Sequence, residues 1–205
     1  MIGDALSSLR RGFPILLFDS SGREDEVDYV MPANAIKPET IRTMRKECGG
    51  LICLAISGEF AKTLDLPYMV ELMSKDDRVR GLIPERTAYG DKPAFSLSIN
   101  HRSTYTGVTD NDRAFTIAEF AKLKTNEELV KSFYAPGHVH LLIAKRLSDR
   151  RGHTELSIEL SNRACIAPAM VLCEMMGDDG TALSVSDAKT YAEKNRIQFV
   201  DGGQL

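Results

Sequence analysis

Residues 37–56 read KPETIRTMRKECGGLICLAI, and the two halves of this stretch have different periods. Pro38 suits the first turn of a helix, where its missing N–H is no loss. Ile41, Met44 and Cys48 then share one helical face, and Gly49-Gly50 stops the helix. LICLAI (51–56) is short and apolar at every position, which marks a buried strand. A helix running directly into a buried strand needs a sheet covered by helices.

The same alternation extends outward. A short helix is expected over 4–11, with strands at PILLF (14–18) and YVMPA (29–33). Further strands are expected at AFSLSI (94–99), which alternates, and over 138–144, 168–175 and 197–200. Helices are expected over 109–123, 154–165 and 186–195, and a long mobile loop over 74–93. Strands and helices interleave without a repeat. This predicts an α/β (α+β) fold with a mixed-direction β-sheet and flanking helices, in a single domain over 1–205. At 205 residues the chain can build one good core but not two comfortable domains.

Composition narrows the function. Hydrophobic residues make up 43% and charged residues 27%, as in soluble globular proteins. The net charge of −3 gives no broad basic surface, so nucleic acid is not an expected partner. No apolar run approaches the roughly 18 residues that span a bilayer, so no membrane contact is expected. The N-terminal MIGDALSSLRRG has no apolar signal core, and a cytoplasmic location is expected. Cys48, Cys53, Cys165 and Cys173 lack CxxC spacing and are read as buried, reduced thiols.

Five stretches carry chemistry. In GREDEVDYVM (22–31), five of the seven residues from Arg23 to Tyr29 are charged. Glu24, Asp25, Glu26 and Asp28 around one arginine repel each other unless a metal ion, a cationic partner or bulk water sits among them. In DRRGHTELS (149–157), Thr154 is a candidate helix cap, and Arg150 or Arg151 with flexible Gly152 precedes it in a polar loop. Backbone N–H groups at a helix start, backed by the dipole, form a phosphate seat; a basic turn with an ordinary cap is the plainer alternative. His153 lies beside this seat. Glu24 plus His153, with water and substrate oxygens, gives the sparse shell that Mg²⁺ accepts, whereas zinc recruits more nitrogen or sulfur. In PGHVHLL (136–142), a Pro136-Gly137 turn leads into His138 and His140, which face one side of a strand. Glu174 interrupts the apolar run AMVLCEMM (169–176), as a candidate acid or base or as a strand end reaching water. YTGVTDNDRA (105–114), with Thr106, reads as a second turn-plus-helix start that could supply another phosphate donor.

Taken together, REDEVD (23–28), GGLICLAI (49–56), AFSLSI followed by TGVTDNDRA, PGHVHLL, RRGHTE (150–155) and VLCEMMGDDGTA (171–182) resemble the 3,4-dihydroxy-2-butanone 4-phosphate synthase family of riboflavin biosynthesis. The resemblance spans nearly the whole chain. It implies a three-layer α/β fold, a homodimer with sites near the subunit interface, and Mg²⁺ as cofactor, with Mn²⁺ able to substitute. It implies a carbon–carbon lyase that converts ribulose 5-phosphate to the butanone phosphate and formate by a metal-stabilised enediolate, dehydration, skeletal rearrangement and loss of C4. By position, Arg23, Glu24, Asp28 and Glu174 contact substrate, and Arg150, Arg151, Gly152, His153 and Thr154 hold its phosphate, with Thr106 as a further contact. Glu24 and His153 bind the metal. His138 and Glu174 occupy catalytic positions, and Glu26 and Asp28 carry protons or orient hydroxyls.

The chain departs from the family pattern at Val27, where many members have glycine, and at Ser20 and Ser21, where many are acidic. The connector from His138 to Arg150 is slightly short. Nothing resembles the GTP cyclohydrolase half of fused members, which implies the single-function form. Two other readings use the same parts: another metal-dependent sugar-phosphate isomerase or aldolase, separable by formate release, and a non-enzymatic phosphate-ligand binding module.

Overall fold

The computed structural model describes residues 2–205. In chain order it contains α1 (Ile2–Arg10), β1 (Ile15–Phe18), β2 (Val27–Pro32), α2 (Pro38–Thr43), β3 (Cys53–Ile56), α3 (Gly58–Thr63) and α4 (Met69–Met73). These are followed by β4 (Phe95–His101), α5 (Asp110–Phe120), α6 (Asn126–Ser132), β5 (Phe133–Ile143), α7 (His153–Arg163), β6 (Ala169–Glu174), α8 (Val185–Asn195) and β7 (Gln198–Asp201). The seven strands form one sheet in the order β4-β5-β3-β6-β2-β1-β7. Two neighbouring pairs, β1 with β7 and β3 with β5, are parallel and the rest antiparallel. The mixed direction is as the sequence predicts.

Alternate strand residues point to opposite faces, and each face has its own core. On one, Leu16, Tyr29, Leu54, Leu141 and Val171 pack with Ile41 and Met44, with Ile117 and Phe120 of α5, and with Ala188 of α8. On the other, Leu17, Val30, Cys53 and Leu172 pack with Leu9 of α1 and with Leu156 and Leu160 of α7. The result is three layers. α2 runs on as a wider turn over Met44–Cys48 and ends at Gly49, whose φ of 88° is the left-handed conformation that terminates helices. Val27 is ordinary buried strand, opposite Phe18, so the family glycine is not needed at this position.

Several expectations are corrected. Pro136 and Gly137 do not form a turn before a strand; β5 begins at Phe133 and runs through them, with a register shift against β4. The cap of α7 is Gly152 rather than Thr154, because Glu155 reaches back to accept the Gly152 N–H at 3.2 Å. Cys165 is exposed, while Cys48, Cys53 and Cys173 are buried. Three helices had no signal in the sequence: α3, α4 and α6 have six, five and seven residues, too few to show a period. Local caps define them, such as Ser57 Oγ accepting the Phe60 N–H at 3.1 Å. Residues 74–93 hold a short helical turn, Arg80–Leu82, and otherwise consist of turns and irregular backbone. Among the described residues, no helix is long and apolar enough to cross a membrane.

Candidate active site

The sheet register assembles the first part of the site. Asp28 on β2 stands opposite Leu17 on β1 and Glu174 on β6. Cys53 on β3 lies between His140 on β5 and Leu172 on β6. Just before β3 the register shifts by one: the Gly50 N–H donates to the Glu174 carbonyl at 3.1 Å, and the Leu51 N–H donates to Glu174 Oε2 at 2.7 Å. Residues abreast on adjacent strands share a face. Asp28 and Glu174 are therefore abreast on the face that carries α7, and His138, two residues from His140, is on the same face of β5. Gly50 makes room for the glutamate: a Cβ there would lie 2.6 Å from the Glu174 carbonyl oxygen.

The acidic loop is folded around Asp19, a residue the sequence reading missed. Its buried carboxylate accepts the Glu24 N–H at 3.0 Å and Arg23 Nη1 at 3.2 Å on one oxygen, and the Glu26 N–H at 3.3 Å on the other. Asp25 takes a left-handed φ of 57° and accepts the Gly22 N–H at 3.1 Å. An aspartate just ahead of a Ser-Ser-Gly turn is a local signal for such an anchor, because short carboxylates bind nearby backbone N–H groups.

Glu24, Glu26, Asp28 and His153 converge where this loop meets the start of α7. His153 Nε2 lies 3.1 Å from the Glu26 carbonyl oxygen, which can only accept, so Nε2 carries hydrogen. His153 Nδ1 lies 3.3 Å from Glu24 Oε2. A nitrogen lone pair facing a carboxylate requires positive charge between them, either a proton or a cation. Two donors at adjacent positions of an octahedral Mg²⁺, each about 2.1 Å from the ion, lie about 3 Å apart. The pair fits such an ion. The Nε2–H···O=C bond is the outer-shell contact that fixes a metal-ligating tautomer. Asp19 has an oxygen within 4.8 Å of ligand atoms of Glu24 and His153, but its oxygens already accept three loop donors, so it shapes the site.

The charges of the cluster bear on proton transfer. Burial pushes the Asp28 carboxyl up to about 8; His153 opposes this shift, while Glu174, Glu24 and Glu26 reinforce it. Asp28 Oδ1 is buried without a hydrogen-bond partner. For His153, burial lowers the pKa, but Asp28, Glu24 and Asp19 outweigh it and lift the imidazole to about 9. Glu24 is held below its ordinary value: burial opposes this, but His153 and Arg23 prevail. Glu26 is raised, first by burial and then by Glu24 and Glu174.

The basic segment differs from expectation. Arg150, expected in a polar loop, is buried and donates to the fully buried carboxylate of Glu155. Gly152 approaches both Arg150 and Arg23, since a Cβ there would lie 2.7 Å from Arg150 Nη1 and from Arg23 Nη2. Two guanidiniums thus flank the helix start. Arg151 is turned away and exposed, with Nη2 donating to the Gly202 carbonyl at 3.2 Å. Thr154 is buried in the first turn of α7. Sequence reasoning missed Glu155 and Asp91, the carboxylates that hold these arginines.

Thr106 and His138 form a separate group. The His138 N–H donates to Asn100 Oδ1 at 2.8 Å, and Asn100 Nδ2 reaches the Thr106 carbonyl at 3.5 Å. Thr106 Oγ1 donates to Asp112 at 3.3 Å. Both residues are exposed. His138 is on β5 and Glu174 on β6, with β3 between them.

Comparison with known proteins gives one result throughout. The sequence profile of 3,4-dihydroxy-2-butanone 4-phosphate synthase matches residues 3–205. The enzyme of that name from Methanothermobacter thermautotrophicus is 44% identical over 215 residues, covering 100% of this chain and 94% of the relative. The solved synthase of Candida albicans superposes with a TM-score of 0.79 at 28% identity, covering 99% of this chain and 94% of the other. Another solved synthase, in complex with two magnesium ions, has a TM-score of 0.81 at 25% identity, covering 98% of this chain and 93% of the other.

Proposed function

The chain belongs to the 3,4-dihydroxy-2-butanone 4-phosphate synthase family, and we propose that it converts D-ribulose 5-phosphate to L-3,4-dihydroxy-2-butanone 4-phosphate and formate at the cluster of Glu24, Glu26, Asp28, His153 and Glu174. The product is the four-carbon precursor of riboflavin. The observation that carries the site assignment is His153 Nδ1 facing Glu24 Oε2 at 3.3 Å while Nε2 is committed to the Glu26 carbonyl. This arrangement is suited to a divalent cation, Mg²⁺ with Mn²⁺ as a substitute, held by Glu24 and His153. The bound cation supplies a Lewis acid for the charge that develops on adjacent sugar oxygens.

The protein's own groups do the rest. Arg23, Arg150 and the start of α7 at Gly152, His153 and Thr154 anchor the phosphate, which fixes the register of the reacting carbons. Asp28, whose carboxyl burial pushes up and whose Oδ1 is buried without a partner, is fitted to give and take a proton beside the sugar. Glu26, raised in the same direction, can relay it or orient a hydroxyl. Glu174 is aimed by the Leu51 N–H and serves as a second proton acceptor.

His138 and Thr106 complete the site in a homodimer. Supporting this, apolar residues beside Thr106 in the chain are exposed: Tyr105 at 97% and Val108 at 50%. Exposed apolar surface of this kind is suited to an isologous subunit contact. The deciding experiment incubates purified protein with ribulose 5-phosphate and Mg²⁺ and assays formate. Formate in one-to-one yield with the butanone phosphate is expected; isomerisation or aldol cleavage without formate would overturn the assignment.

A further inference from the structure

Asp91 lies in the irregular stretch before β4, outside every motif that points to the site. Its Oδ2 is 2.7 Å from Arg23 Nη2 and 3.5 Å from Arg150 Nε. Arg150 Nε has no hydrogen-bond partner although its side chain is only 7% exposed. The same two guanidiniums crowd Gly152 at the start of the eleven-residue helix α7. The group lying between two cations at a helix N-terminus is thus a carboxylate of the protein itself.

Asp91 is carried on a closed turn. Its carbonyl accepts the Thr87 N–H at 2.8 Å and Thr87 Oγ1 at 3.0 Å, and the Gly90 N–H donates to the Thr87 carbonyl at 2.9 Å. The Tyr89 ring lies over Arg23, 4.9 Å from centroid to guanidinium carbon. Residues 87–91 therefore hold themselves together and touch the arginines through Asp91 and Tyr89.

We propose that Asp91 is an internal counter-anion of the phosphate seat: it orients Arg23 and Arg150 in the free enzyme and is displaced when the substrate's phosphate arrives. This rests on the placement of the phosphate at Arg23, Arg150 and Gly152. A carboxylate and a phosphate dianion seek the same N–H donors, and side by side in a half-buried pocket they repel. Asp91 thus competes with the substrate for a seat that it also keeps in shape. It is a positioning residue, and its signature is on binding.

The test titrates inorganic phosphate calorimetrically into the wild type, Asp91→Asn, Asp91→Glu and Arg150→Lys, with KM and kcat for ribulose 5-phosphate measured alongside. Asp91→Asn should bind phosphate about tenfold more tightly and lower KM in the same direction, the equivalent of about 1.4 kcal/mol. Asp91→Glu should return toward the wild type. Arg150→Lys should weaken phosphate binding. If Arg150→Lys weakens it but Asp91→Asn does not tighten it, the counter-anion role is overturned and the seat stands. If Arg150→Lys has no effect, the seat is misplaced and both fall. A lower kcat in Asp91→Asn with KM unchanged would make Asp91 a structural brace and also overturn the proposal.

Discussion

Asp28 and Glu174 stand directly opposite one another on antiparallel strands β2 and β6. Two carboxylates abreast on one sheet face destabilise a fold, and here one of them is also buried. Stability alone would not select this pair. Asp28→Asn keeps the shape and removes the charge, so the chelator-treated variant should be more stable than the wild type by about 1–2 kcal/mol. The folded carboxyl is raised to about 8 from an ordinary 3.8, so its favourable contribution is complete below 3.8 and is lost as pH rises through 8. The gain from asparagine should accordingly be larger at about pH 8 than at about pH 5. Denaturant melts at the two pH values check this. The same variant should lose about two to four orders of magnitude in kcat.

Metal removal separates the ligands from their neighbours. Exhaustive chelation should abolish turnover, with Mg²⁺ or Mn²⁺ restoring it. Added Mg²⁺ should also raise the melting temperature of the wild type, because a ligand that binds only the folded state stabilises it. Glu24→Gln and His153→Asn should lose both effects. Turnover that persists after chelation would remove the metal role.

Arg150 has two duties, so its variants should split. Alanine leaves the buried Glu155 carboxylate without its cation, which costs about 3–5 kcal/mol of stability. Lysine keeps that charge but loses the planar fork. Arg150→Lys should melt near the wild type while KM rises by the equivalent of about 1.5–3 kcal/mol. Thermal melts and steady-state kinetics on both variants make the comparison.

His138→Asn and Glu174→Gln distinguish proton transfer from packing. Each should lower kcat by about two to four orders of magnitude and leave the affinity for ribulose 5-phosphate nearly intact. If His138 only packs and Glu174 only reaches water, rates will stay near normal. Formate production measured beside a direct binding titration decides the matter.

The long elements were legible because their signals are local. The Ile41–Met44–Cys48 stripe, the Gly49 stop and the LICLAI run each depend on neighbours a few residues away; the first two are found where expected, and the strand covers the last four residues of the run, Cys53–Ile56. The short helices α3, α4 and α6 were not legible, because capping side chains rather than periodicity create them. Thr154 shows the limit of a local rule: a threonine before a helical run is a good cap in isolation, but Glu155 is drawn back to Arg150 and the Gly152 N–H, and the helix begins a residue earlier.

The site divides along the same line. The sequence by itself determined that Arg23, Glu24, Glu26 and Asp28 crowd one loop and that Arg150, Gly152 and His153 precede a helix, since adjacency in the chain is enough for both. Only the tertiary structure decided that β2 pairs with β6 and so sets Asp28 against Glu174, and that Asp91, far along the chain, is a counter-charge to Arg23 and Arg150. It also decided that Arg151 is turned away from the other arginines and that Thr106 and His138 form a separate group. These are contacts between distant segments, or choices among equivalent neighbours. They are fixed by strand register, by the exclusion of water from the core and by the need of each buried charge for a partner, none of which a local pattern encodes.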